Sequence, residues 1–339
     1  MKHNWNLKRA RLQGILVLMS VMICAISTGM QAQCTASNTA FQGGEVLDYT
    51  LYFNWKFVWM KAGTARMEIR DTKWRGKDVY QGELITRTNK KLDKYFLMRD
   101  TLQSILSKDM RPCYYKKAAN EGGRYYVDQV WYDYPDGQTV NLKQQYLSRK
   151  GNLSNTSYSS SDCIYDMMSI MLCARSQDAS KLQKGDKLVY PMADGRRVEN
   201  ITLVYRGKEN LRIRNSDVTY RCLVFSFVEY KGKKEIEIIT FYITDDANHM
   251  PVRLDMFLKF GVAKAYLSRA RGLRNACTSI IKEKGKGSTL LISRHRAMSD
   301  LASESKVACV AQSWYDIRML VEFLVNGRTD EHHIIIVPI

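Results

Sequence analysis

Residues 241–272 read FYITDDANHMPVRLDMFLKFGVAKAYLSRARG, and this stretch decides the fold. Val252, Leu254, Met256, Leu258 and Phe260 alternate with Arg253, Asp255, Phe257 and Lys259. That period of two sets one face of a strand against a core. Asp245-Asp246-Ala247-Asn248 supplies turn chemistry ahead of it, and Pro251 opens the returning strand, where a missing N–H costs least. Gly261 interrupts the run before Val262 to Leu267 resumes it. The segment is expected to form strand, tight turn, strand, bend, strand.

The same pattern extends in both directions. From Glu45 to Ile69 two strands meet at an aromatic crest, Phe57-Val58-Trp59-Met60. The crest either folds over the end of the core or forms a rim that touches membrane or guards a cavity mouth. Strands are expected at 79–88, 96–106, 112–117, 125–134 and 139–145, with Gly122-Gly123 and Pro135-Asp136-Gly137 as turns. Residues 148–161 are rich in Ser and Asn and read as a loop. One helix follows, expected from Cys163 to Arg175 with Asp162 as N-cap. Ile164, Met167, Met168, Met171 and Leu172 fall on one stripe at helical spacing. Strands resume at 187–192, 198–206, 211–215, 219–229 and 235–244, with Gly195, Gly207 and Gly232 between them. The expected fold is mainly β: a large curled antiparallel sheet or half-open barrel with one helix packed across it.

Residues 1–32 read as a secretory signal peptide. Lys2, Lys8, Arg9 and Arg11 precede the apolar run from Gly14 to Ile26, and cleavage is expected near Gly29 or Ala32. Gln33 fits poorly in front of a lipid-modified cysteine at Cys34, so a soluble exported chain is expected. Four of the 52 Lys and Arg and none of the 34 Asp and Glu lie in residues 1–32, so the mature chain keeps a net charge of +14. An exported basic chain points away from nucleic acid, towards anionic lipid or glycan or simply a solvated surface. Seven mature cysteines without a CxxC pair argue against zinc and against a dense disulfide framework. Cys113 and Cys222, on apolar strands, read either as one bridge or as two buried thiols. From Lys282 the character changes: KEKGKGS reads as a linker, and the remainder to Ile339 as a tail.

Reactive groups are sparse. His249 lies in a turn with Asp245, Asp246 and Asn248, where the same residues serve a cation, acid–base work or the turn itself. Glu45 and Asp166 are isolated acids, and no nucleophile elbow, metalloprotease motif or phosphate loop occurs. Catalysis, metal and cofactor are therefore not expected. The candidate ligand-binding residues are Met167, Met168 and Met171, because methionine repacks around varied apolar partners, together with Phe57 and Trp59 of the crest.

FQGGEVLDYTLYFNWKFVWMKAGTA from Phe41, KLDKYFLMRDTLQSIL, MRPCYYKKAANEGG, YDMMSIMLCARS, LQKGDKL and YITDDANHMPVRLDMFLKFGVAKAYL occur in that order. Together they resemble the DUF3108 family of exported bacterial proteins of unknown function, over residues 41–281. The resemblance implies a β-rich periplasmic domain, residues 33–281 here, and brings no activity with it. The functional expectation is a non-catalytic binding or carrier module of the cell envelope, with an apolar or amphiphilic, lipid-like ligand. Peripheral contact with the membrane, outer membrane included, goes with that reading. The alternatives are a structural or assembly factor acting through its surface and an enzyme on envelope glycan.

Overall fold

The computed structural model describes residues 34–55, 58–94, 97–258 and 261–281. The expected signal peptide with its cleavage positions Gly29 and Ala32, the crest residue Phe57, and the tail from Lys282 lie outside the described residues.

Hairpins carry the chain through β1 (Val46–Trp55), β2 (Val58–Trp74), β3 (Lys77–Thr88), β4 (Met98–Ser107), β5 (Pro112–Glu121), β6 (Arg124–Asp133), β7 (Val140–Leu147) and β8 (Leu153–Ser160). A four-residue turn of helix, α1 (Lys90–Asp93), separates β3 from β4. After β8 comes the one longer helix, α2 (Met167–Arg175). The chain then returns through β9 (Lys187–Ala193), β10 (Val198–Arg212), β11 (Thr219–Lys231), β12 (Lys234–Thr244), β13 (Pro251–Leu258) and β14 (Gly261–Arg271). The order across the sheet is β8-β7-β6-β5-β4-β3-β2-β1-β14-β13-β12-β11-β10-β9, and β15 (Ile280–Ile281) adds to β11. The chain thus starts in the middle, walks to one edge, crosses to the other and walks back until β14 pairs with β1.

That crossing forces the sheet to curl. Laid flat, a path of fourteen strands would hold β8 and β9 roughly 60 Å apart at ~4.8 Å per strand. Yet Tyr165, just past the end of β8, bridges Met192 of β9, and the intervening residues reach at most about 18 Å. No ladder joins the two edges, so the sheet is not closed into a barrel. Side chains clasp the seam instead. In the β9–β10 turn Arg196 Nε donates to Asp128 of β6 at 3.0 Å, and the Gly195 amide donates to Gln144 Oε1 of β7 at 3.2 Å. Thr156 Oγ1 of β8 reaches Arg196 O at 3.2 Å. A Cβ on Gly195, at φ +101°, would lie 2.7 Å from Asp128 Cβ, so only glycine allows this approach.

Several local expectations are corrected. Residues 153–160 form a strand, not a loop; seven of its eight residues are exposed, so no buried face imposed an alternation. The stretch 198–212 is one strand, because the glycine at 207 makes a bulge against β11 and the pairing continues past it. Helix α2 starts at Met167 rather than Cys163, and its N-cap is Asp166 rather than Asp162. Cys34 is bonded to Cys163, with Cα atoms 5.2 Å apart, a pairing that sequence spacing did not suggest. Cys113 and Cys222 are free thiols, the latter buried.

The main core joins residues of both halves, among them Leu47, Met67, Val130, Leu142, Met168 and Val252. A second cluster packs Ala40 and Phe41 of the leader against Ile69, Leu106, Met110, Leu172 and Cys173.

Candidate functional site

The methionine stripe is turned differently from the expectation. Met168 is 1% exposed and Met171 partly buried, whereas Met167 is 43% exposed. Asp166 sets this rotation. Its carboxylate accepts from the Met168 and Ser169 amides, both at 2.9 Å, and Ser169 Oγ accepts from the Asp166 amide at 2.7 Å. That reciprocal cap is itself buried, and Ser104 Oγ of β4 donates to the same carboxylate at 2.9 Å. Burial pushes the Asp166 carboxyl up to about 6, against these hydrogen bonds. The cap aims Met168 and Leu172 at β3, where a Cβ on Gly82 would meet Leu172 Cδ1 at 3.0 Å and Met168 Cε at 3.5 Å. The inward side of the stripe is packed core.

At its other end α2 delivers Arg175 to Glu45. The two are 1% and 0% exposed and pair through both guanidinium nitrogens, Nη1–Oε1 at 2.6 Å and Nη2–Oε2 at 3.0 Å. Arg175 also donates from Nε and Nη2 to the Asn248 carbonyl at 3.2 and 3.0 Å, and its guanidinium lies 5.4 Å from the centre of the Phe41 ring. The acidic turn is consumed by this junction. Asp246 accepts from Thr244 Oγ1 and from the Asn248 and Ser279 amides; Asp245 pairs with Lys208 and Arg221; His249 Nδ1 lies 2.6 Å from Arg175 O. Each of these side chains has a structural partner in the turn or the junction. Among the described residues no group of three His, Cys, Asp or Glu is placed to hold a metal ion.

A buried polar cluster, unforeseen from the sequence, spans β4 to β6. Asp100, Lys117, Glu121 and Asp128 are 2–7% exposed. Arg149 Nη2 and Tyr126 Oη donate to Glu121 at 3.1 and 3.2 Å, and Arg196 pairs with Asp128. Burial, with the Asp100 carboxylate beside it, pushes Glu121 up to about 8, while Lys117 and Arg149 oppose the shift. Burial likewise raises Asp100 to about 6 and lowers Lys117. Each member sits at an inward position two residues from another buried side chain, a signal the alternation carried without saying what it was for.

The crest stands at the opposite end of β1 from Glu45. Phe57 lies outside the described residues, but Trp59 is placed. The ladder aligns Asn54 with Trp59, Asn54 with Val262, and Val262 with Phe257. Directly paired residues share a face, so Trp59 and the 37% exposed Phe257 flank one surface at the two hairpin tips. Tyr52, Lys61 and Lys264 continue that face one pair further in. Arg214, from the β10–β11 turn, brings its guanidinium 5.7 Å from the Trp59 ring and 4.8 Å from the Tyr52 ring, and Lys264 Nζ lies 5.3 Å from Trp59. Asp255 is the nearby acid, paired to Lys264 at 3.1 Å and to Arg253. Leu47 and Tyr49, in the core with Met168, alternate along β1 with Tyr52 and Asn54. Tyr52 also packs against that core cluster, through Tyr266, on the face that carries Trp59.

The architecture is that of one large, incompletely closed antiparallel sheet with a helix packed on it. The chain belongs to the family described as protein of unknown function (DUF3108), whose model matches residues 48–268. This is the family its sequence resembles. No curated protein matches the chain. Among solved structures it is similar to a β-barrel-like protein of domain of unknown function DUF1849 from Brucella abortus. The two are 8% identical over 70% of this chain and 99% of that chain, with a TM-score of 0.47. It is also similar to a protein from Bacteroides fragilis described as exported and having a YmcC-like fold. There the identity is 10% over 70% of this chain and 99% of that one, with a TM-score of 0.26.

Proposed function

We propose that this is an exported cell-envelope protein that binds, without catalysis, a lipid-like amphiphile with an anionic head at the β1–β2 and β13–β14 tips. The observation that carries the reading is Trp59 set beside Arg214 and Lys264, with Phe257 exposed on the same face at the neighbouring hairpin tip, three strands across. An amphipathic ring suits the boundary between headgroup and acyl chain, and neighbouring cations suit an anionic surface. Export is supported by the basic and apolar start of the chain and by the Cys34–Cys163 bond, since such bonds persist in oxidising compartments. Among the described residues no helix is long and apolar enough to cross a membrane. The proposal takes the form of a peripheral contact made by the hairpin tips.

The test is mass spectrometry of an organic extract of the protein purified from its export compartment. Phospholipid or a related acidic amphiphile should accompany the wild type and be depleted in a Trp59→Ala/Lys264→Glu variant. An extract equally empty for both would remove the carrier form of the reading.

A further inference from the structure

The two edges of the sheet are treated differently. At β9 the Tyr165 amide donates to Pro191 O at 2.9 Å and the Ala193 amide to Tyr165 O at 2.8 Å, so the chain at Tyr165 covers the 191–193 end of the edge. Pro191 itself offers no N–H, a usual guard against stray pairing. At β8 none of these devices is present. Its sequence, LSNTSYSS, has no proline, and β8 alone among the fourteen strands of the path carries no Asp, Glu, Lys or Arg. One side of β8 pairs with β7 and the other has no ladder partner among the described residues. Leu153 and Tyr158 are 56% and 47% exposed, and only Ser160 is not classed with the exposed residues. The strand is held by β7 on one side and by Thr156 on the Arg196 carbonyl, buries almost nothing on either face, and keeps its other edge without a ladder partner among the described residues.

We propose that β8 is the self-association strand of this protein, and that two copies pair β8 to β8, antiparallel, about a two-fold axis normal to the sheet. Charge argues for a second copy rather than a foreign segment. A two-fold sets each residue opposite itself or a close neighbour, so any Lys or Glu in the strand would meet its own like. The strand is neutral in a chain whose net charge is +14 without residues 1–32, so two copies that repel overall meet no like charge along it. Every register centred between Asn155 and Ser157 opposes only uncharged side chains, Asn, Thr and Ser at its middle and Leu153 or Tyr158 further out, so no like charges meet. The guarded β9 edge explains why pairing stops at two: head-to-tail addition of β8 to β9 is blocked by the chain at Tyr165 and by Pro191, so the assembly closes.

Sedimentation velocity of the exported chain over a concentration series tests this directly. The wild type should reach a dimer. Asn155→Lys/Ser157→Lys and Asn155→Glu/Ser157→Glu should each be monomeric, with unchanged circular dichroism because both positions are exposed. An equimolar mixture of the two variants should regain the dimer at low ionic strength, which a merely damaged strand would not do. A wild type that stays monomeric throughout, a dimer that both variants leave intact, or growth into open polymers would overturn the proposal.

Discussion

Arg175 and Glu45 lie far apart in sequence and are wholly buried where they meet, so each depends on the other to be tolerated in the interior. Removing one partner leaves an uncompensated charge and is expected to cost about 3–5 kcal/mol, whereas an apolar pair of similar volume can be nearly neutral. Glu45→Ala should therefore destabilise by that amount in a denaturant titration, and Glu45→Leu/Arg175→Met should recover most of it. A Glu45→Ala chain as stable as the wild type would mean that the junction is dispensable. Glu121 makes a second claim at this scale. Its carboxyl is raised from 4.5 to about 8, so the folded state holds its proton more tightly than the unfolded one. The stability this contributes is complete below about pH 4.5 and is lost as pH rises through about 8. Thermal melts should show the wild type losing ground to Glu121→Gln between pH 5 and 9, since the amide keeps the burial and cannot ionise. The lowered Lys117 acts in the opposite sense towards the alkaline end, so the comparison between variants carries the test rather than either melt alone. A difference that stays flat with pH would show that the carboxyl ionises freely in the fold.

At the scale of elements, α2 is held by its cap and by its packing on β3. Met168→Ala is expected to cost on the order of 2–5 kcal/mol as a core truncation, and Asp166→Ala at least the ~0.5–2 kcal/mol of a lost N-cap. Urea titrations of both variants measure this. A Met168→Ala cost well below that range would indicate that the site was never fully packed and would reopen a ligand cavity there. What could be read from sequence at this scale follows what each element buries. The 241–272 run announced itself because its alternation answers to a core, and so did the hairpin of β1 and β2. Strand β8 gave no such signal because water lies on both its faces. The N-cap of α2 was expected at Asp162, four residues early, because Asp162 precedes apolar residues just as Asp166 does. The cap was decided by Ser104 and Ser169, and Ser104 is a partner 62 residues away that periodicity does not reveal. Met167 was placed inward by spacing alone, which fixes a stripe on the helix but not which way the helix is rolled.

The whole molecule is a sheet whose two edges are brought together by the chain that crosses between them. Its interior is set by long-range pairs such as Cys34 with Cys163 and Arg196 with Asp128, and residue patterns carry little information on these. The class of fold and the family were legible because they depend on the succession of strands. The site was legible only in Trp59, since Arg214 and Lys264 reach it from turns and strands far along the chain. The central claim is that this tip meets an anionic amphiphilic surface. Co-sedimentation of the exported chain with vesicles tests it most directly, comparing phosphatidylglycerol with phosphatidylcholine at low and high salt. The wild type should pellet with the anionic vesicles, less so as salt rises, and Trp59→Ala and Arg214→Glu should each reduce the bound fraction several-fold, the exposed Arg214 being replaceable without a change in the melt. Equal binding to both lipids, or anionic binding that neither substitution weakens, would contradict the account.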